Sequence, residues 1–119
     1  MSDKIDWTTM SSSAITVTKN NTYVGSVETS SVRRTGNLIE FAFVFNLVAD
    51  VTNSTQTLFY GLPAPKVGVH QFTGISIYND QLPIRVAINS AGDFKAWYNT
   101  ASYLANGRTI VVSGSYFTD

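Results

Sequence analysis

Cysteine is absent from this chain, which removes disulfide bonds and thiolate metal sites and leaves the redox compartment open. Histidine occurs once, as His70, and no His/Asp/Glu cluster falls at metal-ligand spacing, so neither a metal nor a cofactor is expected. Charge is scarce as well. Only 13% of residues are charged, about half the usual share for a soluble domain. The eight basic and eight acidic side chains cancel and are scattered, which gives no electrostatic footprint for nucleic acid or an anionic membrane. No apolar run approaches the length of a membrane span. The first residues, with Asp3 and Asp6 and no apolar region, do not resemble a signal peptide. Secretion by the usual route is therefore not expected, although delivery to the outside within a particle is compatible. Helical periodicity is missing throughout.

What is present is alternation. Polarity comes from Ser, Thr and Asn, whose side chains compete for backbone hydrogen bonds and favour extended structure and turns. Residues 36–47 are the centre of the pattern. One parity carries Ile39, Phe41, Phe43, Phe45 and Leu47; the other carries Leu38, Glu40, Ala42, Val44 and Asn46. Ten alternating residues opened by Gly36-Asn37 predict a long strand with one core-facing side. Each of the three alternate phenylalanines can bury roughly 150–250 Å². The opposite face is too apolar for open solvent and too polar for a sealed core, which suits a subunit contact or cover by the segment around Trp7.

Around this strand the chain reads as one domain over 14–119, preceded by an irregular lead-in over 1–13. A first strand is expected over 14–18, stopping at the turn cluster Lys19-Asn20-Asn21. Residues 23–34 read as a strand with a polar outer face, joined by a hairpin to the central strand. A shorter strand over 55–60 ends at Gly61-Leu62-Pro63-Ala64-Pro65, because proline cannot donate to a ladder. Another covers 69–78, with Gly74 as a bulge or close-approach site and Ile75 and Ile77 as core parity. After Asn79-Asp80-Gln81, residues 82–89 place Leu82, Ile84, Val86 and Ile88 inward. A tight turn leads into 94–99, a single helical turn fits within 100–107, and a closing strand over 108–118 points Ile110, Val112 and Tyr116 inward. The total is about eight strands at short spacing. The fold class this predicts is all-β, an antiparallel β-sandwich, with a jelly roll as one form of it.

Four segments, in order, carry a resemblance. They are Val32-Arg33-Arg34-Thr35-Gly36-Asn37-Leu38-Ile39, then Phe59 through Pro65, then the strand from Ile84 with its turn Asn89-Ser90-Ala91-Gly92-Asp93-Phe94, and the closing Ile110-Val111-Val112-Ser113-Gly114-Ser115-Tyr116. Their succession resembles the small C-terminal domains of phage tail-fibre and baseplate proteins. Residues 1–13 show no recognisable fibre or shoulder region, a departure from that pattern that leaves open whether the chain is a whole protein or a tip domain of a longer one. The resemblance implies a non-enzymatic receptor-binding protein at the tip of a virion tail, made in the host cytoplasm. It further implies a homotrimer that meets other virion tail proteins and attaches to a host-surface saccharide. The alternative is a structural assembly or decoration module of the virion without ligand binding.

The residues favour binding over catalysis. Glu28, Glu40, Asp50, Asp80 and Asp93 fall on different predicted elements, so nothing selects a glycosidase pair. In 94–99, parity groups Phe94, Ala96 and Tyr98 on one face and Asp93, Lys95, Trp97 and Asn99 on the other. With Phe94 inward, Trp97 stands outward among polar groups, where a large ring needs a reason. A ring stacks on the apolar C–H face of a pyranose while planar polar groups take its hydroxyls. The expected saccharide site is accordingly Trp97, Asn99, Tyr78, Asp80, Arg85 and His70. Two alternatives stay open for Trp97: it caps a subunit interface, or the parity is inverted, with Trp97 in the core and Tyr98 outside. His70, beside the proline-rich turn, is either a ligand contact or an ordinary loop histidine.

Overall fold

The computed structural model describes residues 12–52 and 56–119. Trp7 and the greater part of the predicted lead-in lie outside the described residues. Among the described residues are nine strands, all paired antiparallel: β1 (Ser12–Ala14), β2 (Thr18–Lys19), β3 (Val24–Thr35), β4 (Leu38–Leu47), β5 (Thr57–Tyr60), β6 (His70–Ile77), β7 (Gln81–Ile88), β8 (Phe94–Ala96) and β9 (Thr109–Phe117). A single 3₁₀ turn, Ala101–Leu104, stands where one helical turn is expected. The all-β, antiparallel expectation holds. The strands form one sheet, ordered β1-β3-β4-β9-β6-β7-β8-β5-β2, which curls into a half-barrel.

The two ends of that order belong to one segment. β1 lies against the end of β3, with Ser12 opposite Thr35, while β2 lies against β5, with Thr18 opposite Tyr60. Residues 15–17 carry the chain from one sheet edge to the other, and Ile15 N–H donates to the Val32 carbonyl at 2.8 Å on the way. The single first strand expected over 14–18 is therefore split, because its two ends serve different neighbours. Pairing also begins earlier than expected, since Ser12 and Ser13 are already in the ladder.

β4 is the strand the core is built on. Ile39, Phe41, Phe43, Phe45 and Leu47 are all buried, as the alternation predicts. The Phe43 ring stacks on Phe59 of β5 at 4.3 Å and meets Phe94 of β8 edge-on at 5.0 Å. Phe45 meets Phe59 edge-on at 5.0 Å, and Phe41 meets Phe72 of β6 edge-on at 4.8 Å. Offset and edge-to-face rings are the arrangements the aromatic quadrupole favours, adding about 0.5–1.5 kcal/mol per pair beyond area burial. These contacts join the two halves of the curled sheet across its interior. β7 supplies Ile84, Val86 and Ile88 to the same core, and β9 supplies Ile110, Val112 and Tyr116. Both sets follow the predicted parity.

β6 does not. Ile75 is 41% exposed, whereas Gly74 and Ser76 are buried. The inward parity is thus Phe72, Gly74 and Ser76, the reverse of the expectation from Ile75 and Ile77. Two long-range partners decide this. Ser76 Oγ donates to the Tyr103 carbonyl and accepts from Nε of Arg108, which is itself only 7% exposed. With Gly74 facing inward, a Cβ there would press on the Val111 carbonyl and on Val112, which makes it the close-approach site its position suggests.

Candidate functional site

The β7–β8 hairpin positions the surface of most interest. Asn89 shapes its turn, its Oδ1 accepting the backbone N–H groups of Ala91 and Asp93 at 3.0 Å each. The strands then pair through Ile88–Phe94, Ala87–Lys95 and Val86–Ala96. β8 stops at Ala96, but its hydrogen bonding to β7 continues by other means. Trp97 N–H donates to the Arg85 carbonyl at 3.1 Å. The Asn99 side chain then takes the place of a strand: its Oδ1 accepts Arg85 N–H at 2.7 Å and its Nδ2 donates to the Arg85 carbonyl at 2.8 Å. An amide side chain grips both main-chain groups of one residue.

Between these anchors Tyr98 departs from strand geometry. Its φ is 49°, in the left-handed region that bulky residues rarely enter. Parity would have sent Tyr98 inward with Phe94 and Ala96. The left-handed turn instead swings it out to 62% exposure, while Trp97 becomes half-buried. The two rings meet edge-on at 5.0 Å and 81°. The open aromatic surface is therefore Tyr98, with Trp97 as its backing. The alternative with Tyr98 outside is met in part, but not by inverted parity: Phe94 and Ala96 stay inward, and one φ angle at the end of the strand turns Tyr98 out.

Tyr98 borders a depression of about 330 Å³ whose walls include Thr73, Pro83, Arg85, Asn99 and Tyr103. Of the six residues expected to form a site, the structure brings Arg85 and Asn99 together here and sets Trp97 behind the ring. The Asn99 amide is occupied by Arg85, so it positions its neighbour and has little hydrogen-bonding capacity left for a ligand. Tyr78 and Asp80 lie apart, at the β6–β7 turn, about four strand residues or ~13 Å along β7 from Arg85. Tyr78 is 61% exposed there, and Asp80 is ion-paired with Arg108.

His70 lies elsewhere, on the inward parity of β6, its ring stacked on Phe72 at 4.6 Å. It lines a separate groove of about 500 Å³ with Leu38, Lys66, Val67 and Phe117. Loop 61–69 forms one wall of that groove and is strapped to β9: Tyr116 Oη donates to the Pro63 carbonyl at 2.8 Å and Lys66 N–H to the Phe117 carbonyl at 2.8 Å. Burial pushes the Tyr116 phenol well above the usual tyrosine range. Among the described residues, no three His, Asp or Glu side chains gather to hold a metal ion. Among the same residues, no helix is long and apolar enough to cross a membrane.

A scan of protein-family models finds no match to this chain, and no curated protein matches it.

Proposed function

We propose that this chain is a receptor-binding tip domain of a phage tail or baseplate, and that it holds a host-surface saccharide in the Tyr98–Arg85 depression without catalysing a reaction on it. The observation that carries the reading is Tyr98 itself, an exposed ring held in a left-handed conformation beside a polar-walled hollow. Such a backbone costs about 1–3 kcal/mol and persists only where the surroundings impose it, which happens disproportionately at ligand sites. A ring fixed in this way offers a pyranose a flat apolar face at little cost in side-chain entropy, with Arg85, Thr73 and Tyr103 lining the same hollow.

The sandwich description belongs to the same reading. The β1-β3-β4-β9 half faces the β6-β7-β8-β5-β2 half across the Phe43–Phe59–Phe94 cluster, as two layers of a jelly roll would. The homotrimer belongs to it too. Affinity per saccharide would be modest and raised by multivalency.

One observation favours the second reading, a structural assembly module of the virion. Val44, Val111, Ile75 and Pro83 are successive cross-strand neighbours on the outer face of β4, β9, β6 and β7, an apolar row where solvent is expected. A row of this kind suits a contact with other tail proteins or with further copies of the chain.

Glycan-array binding together with light scattering of wild type and Tyr98→Ala separates the readings. Receptor binding predicts glycan signal in wild type, its loss in Tyr98→Ala, and an unchanged oligomer. A wild-type protein that binds no glycan at high concentration overturns the receptor reading and leaves assembly.

A further inference from the structure

We infer that the saccharide taken by this depression is anionic, carrying a carboxylate, phosphate or sulfate that pairs with the Arg85 guanidinium. The inference rests on the saccharide reading above and adds the ligand's charge class. It starts from a comparison of the four arginines. Arg33 donates to the Ser12 hydroxyl and carbonyl, and Arg34 to the Gly36 carbonyl and to Asn37. Arg108 donates to Ser76 and Asp80. Among the described residues, Arg85 alone has a guanidinium with no protein acceptor; its hydrogen bonds are all made by its main chain.

That main chain is unusually well fixed. Asn99 holds both its N–H and its carbonyl, and Trp97 N–H adds a third bond to the same carbonyl. A donor fork with no partner therefore projects from a fixed base, at the edge of a hollow and next to a ring that is itself held. Among the described residues, Arg85 is also the one formally charged residue in the wall of that hollow, whose other members there are Thr, Pro, Ile, Tyr and Asn. Lys95 lies two residues from Trp97 on the same parity of β8 and adds positive charge along that face. Among the described residues, the acids flanking β7 and β8 are engaged or displaced: Asp80 neutralises Arg108 at the β6–β7 turn, and Asp93 lies beyond the far end of β8. The planar guanidinium offers five donors in a geometry that matches two oxygens of a carboxylate, phosphate or sulfate. A neutral sugar would leave that match unused.

Asn99 is on this account a positioning residue, acting through the Arg85 backbone. The test is a titration followed by backbone amide NMR at low salt. The probes are a uronic acid disaccharide, a sugar phosphate and a sulfated monosaccharide, each beside its neutral parent. The expected result is that at least one anionic probe binds about tenfold or more tightly than its parent, with shifts centred on Arg85, Tyr98 and Asn99. Which of the three does so identifies the anion. Raising the salt should erode the preference, because the contact is exposed.

Arg85→Gln should abolish the preference and leave thermal stability in place, since the guanidinium supports nothing in the fold. Arg85→Lys should recover part of it. Asn99→Ala should lower the anionic-to-neutral ratio more than it lowers neutral binding. Equal binding of anionic and neutral probes in wild type, or a preference that survives Arg85→Gln, overturns the inference while the saccharide reading stands. Binding of neither kind of probe overturns both.

Discussion

Replacing Phe43 with alanine tests whether β4 carries the core. The side chain is fully buried and its ring has aromatic neighbours at 4.3, 5.0 and 5.8 Å. An aromatic of this kind removes roughly 150–250 Å² from water, worth about 4–6 kcal/mol at ~25 cal/mol per Å². Denatured chains already bury part of that area, which lowers the figure toward the ~3–5 kcal/mol typical of Phe→Ala. About 4 kcal/mol is expected here, a large part of the ~5–15 kcal/mol by which domains are stable. Val44, the next residue, lies on the outer face and is half-buried. Val44→Thr keeps the β-branch and should cost less than about 0.5 kcal/mol in an isolated chain. Urea unfolding followed by circular dichroism measures both, with the slope m unchanged if only stability moves. If Phe43→Ala fails to fold, Phe43→Leu replaces it, with an expected loss of about 1–1.5 kcal/mol. A Phe43→Ala loss below about 1 kcal/mol would refute the placement of β4. So would a Val44→Thr loss of similar size that does not vary with protein concentration. A concentration-dependent Val44 effect would instead identify the outer row as a subunit contact.

Gly92 is buried at a φ of 79°, and a Cβ there would overlap the Leu62 carbonyl. Gly92→Ala should therefore cost at least about 2 kcal/mol in chemical denaturation, the sum of left-handed strain and overpacking. Tyr116→Phe should cost about 1 kcal/mol at neutral pH, for the lost bond to the Pro63 carbonyl. Because burial raises the Tyr116 pKa, the native state holds its proton where the unfolded chain releases it. Stability is insensitive to this group below about pH 10 and falls by up to about 1.4 kcal/mol per pH unit above it, a slope that Tyr116→Phe should remove from stability-versus-pH curves. Tyr98→Gly should be more stable than Tyr98→Ala by about 0.5–1 kcal/mol, since glycine enters the left-handed region freely and alanine does not. Differential scanning calorimetry ranks the pair, and an alanine variant more stable than the glycine variant would refute strain at this position.

Legibility in the sequence followed the range of the forces. β4, β7 and β9 were readable because their burial repeats every two residues, and local alternation is enough to orient a strand. The Gly36-Asn37 hairpin and the Pro63–Pro65 break were readable because backbone chemistry at a single residue sets them. The inversion of β6 was not. Ile75 and Ile77 are stronger core residues than Gly74 and Ser76 by any hydropathy, and only the partners of Ser76, Arg108 and Tyr103, distant in sequence, reverse the choice. The break over 15–17 was hidden in the same way, since both halves of that stretch are extended and only the curl of the sheet assigns them to different edges. At the candidate site, sequence reasoning points to the same β7–β8 hairpin and to Arg85, Trp97 and Asn99. It took Trp97 as the open ring because parity assumes a strand that continues, and β8 ends one residue too soon.

The position of that ending links the fold to the proposed activity. A left-handed tyrosine needs a support that does not yield, and the chain provides one on both sides. Ala96 is locked into the core beside Phe94, and three hydrogen bonds from Trp97 and Asn99 hold the Arg85 main chain opposite. The strain of about 1–3 kcal/mol at Tyr98 is small beside the burial of the phenylalanine cluster that anchors the same hairpin. A ring held from below in this way loses little freedom when a ligand arrives, whereas the Arg85 side chain, unpartnered above its fixed main chain, gives up rotamer freedom of about 2 kcal/mol or less. The same bonds consume the donors and acceptors of Asn99. On the proposed reading, recognition is left to the two groups the fold does not use, the face of Tyr98 and the fork of Arg85.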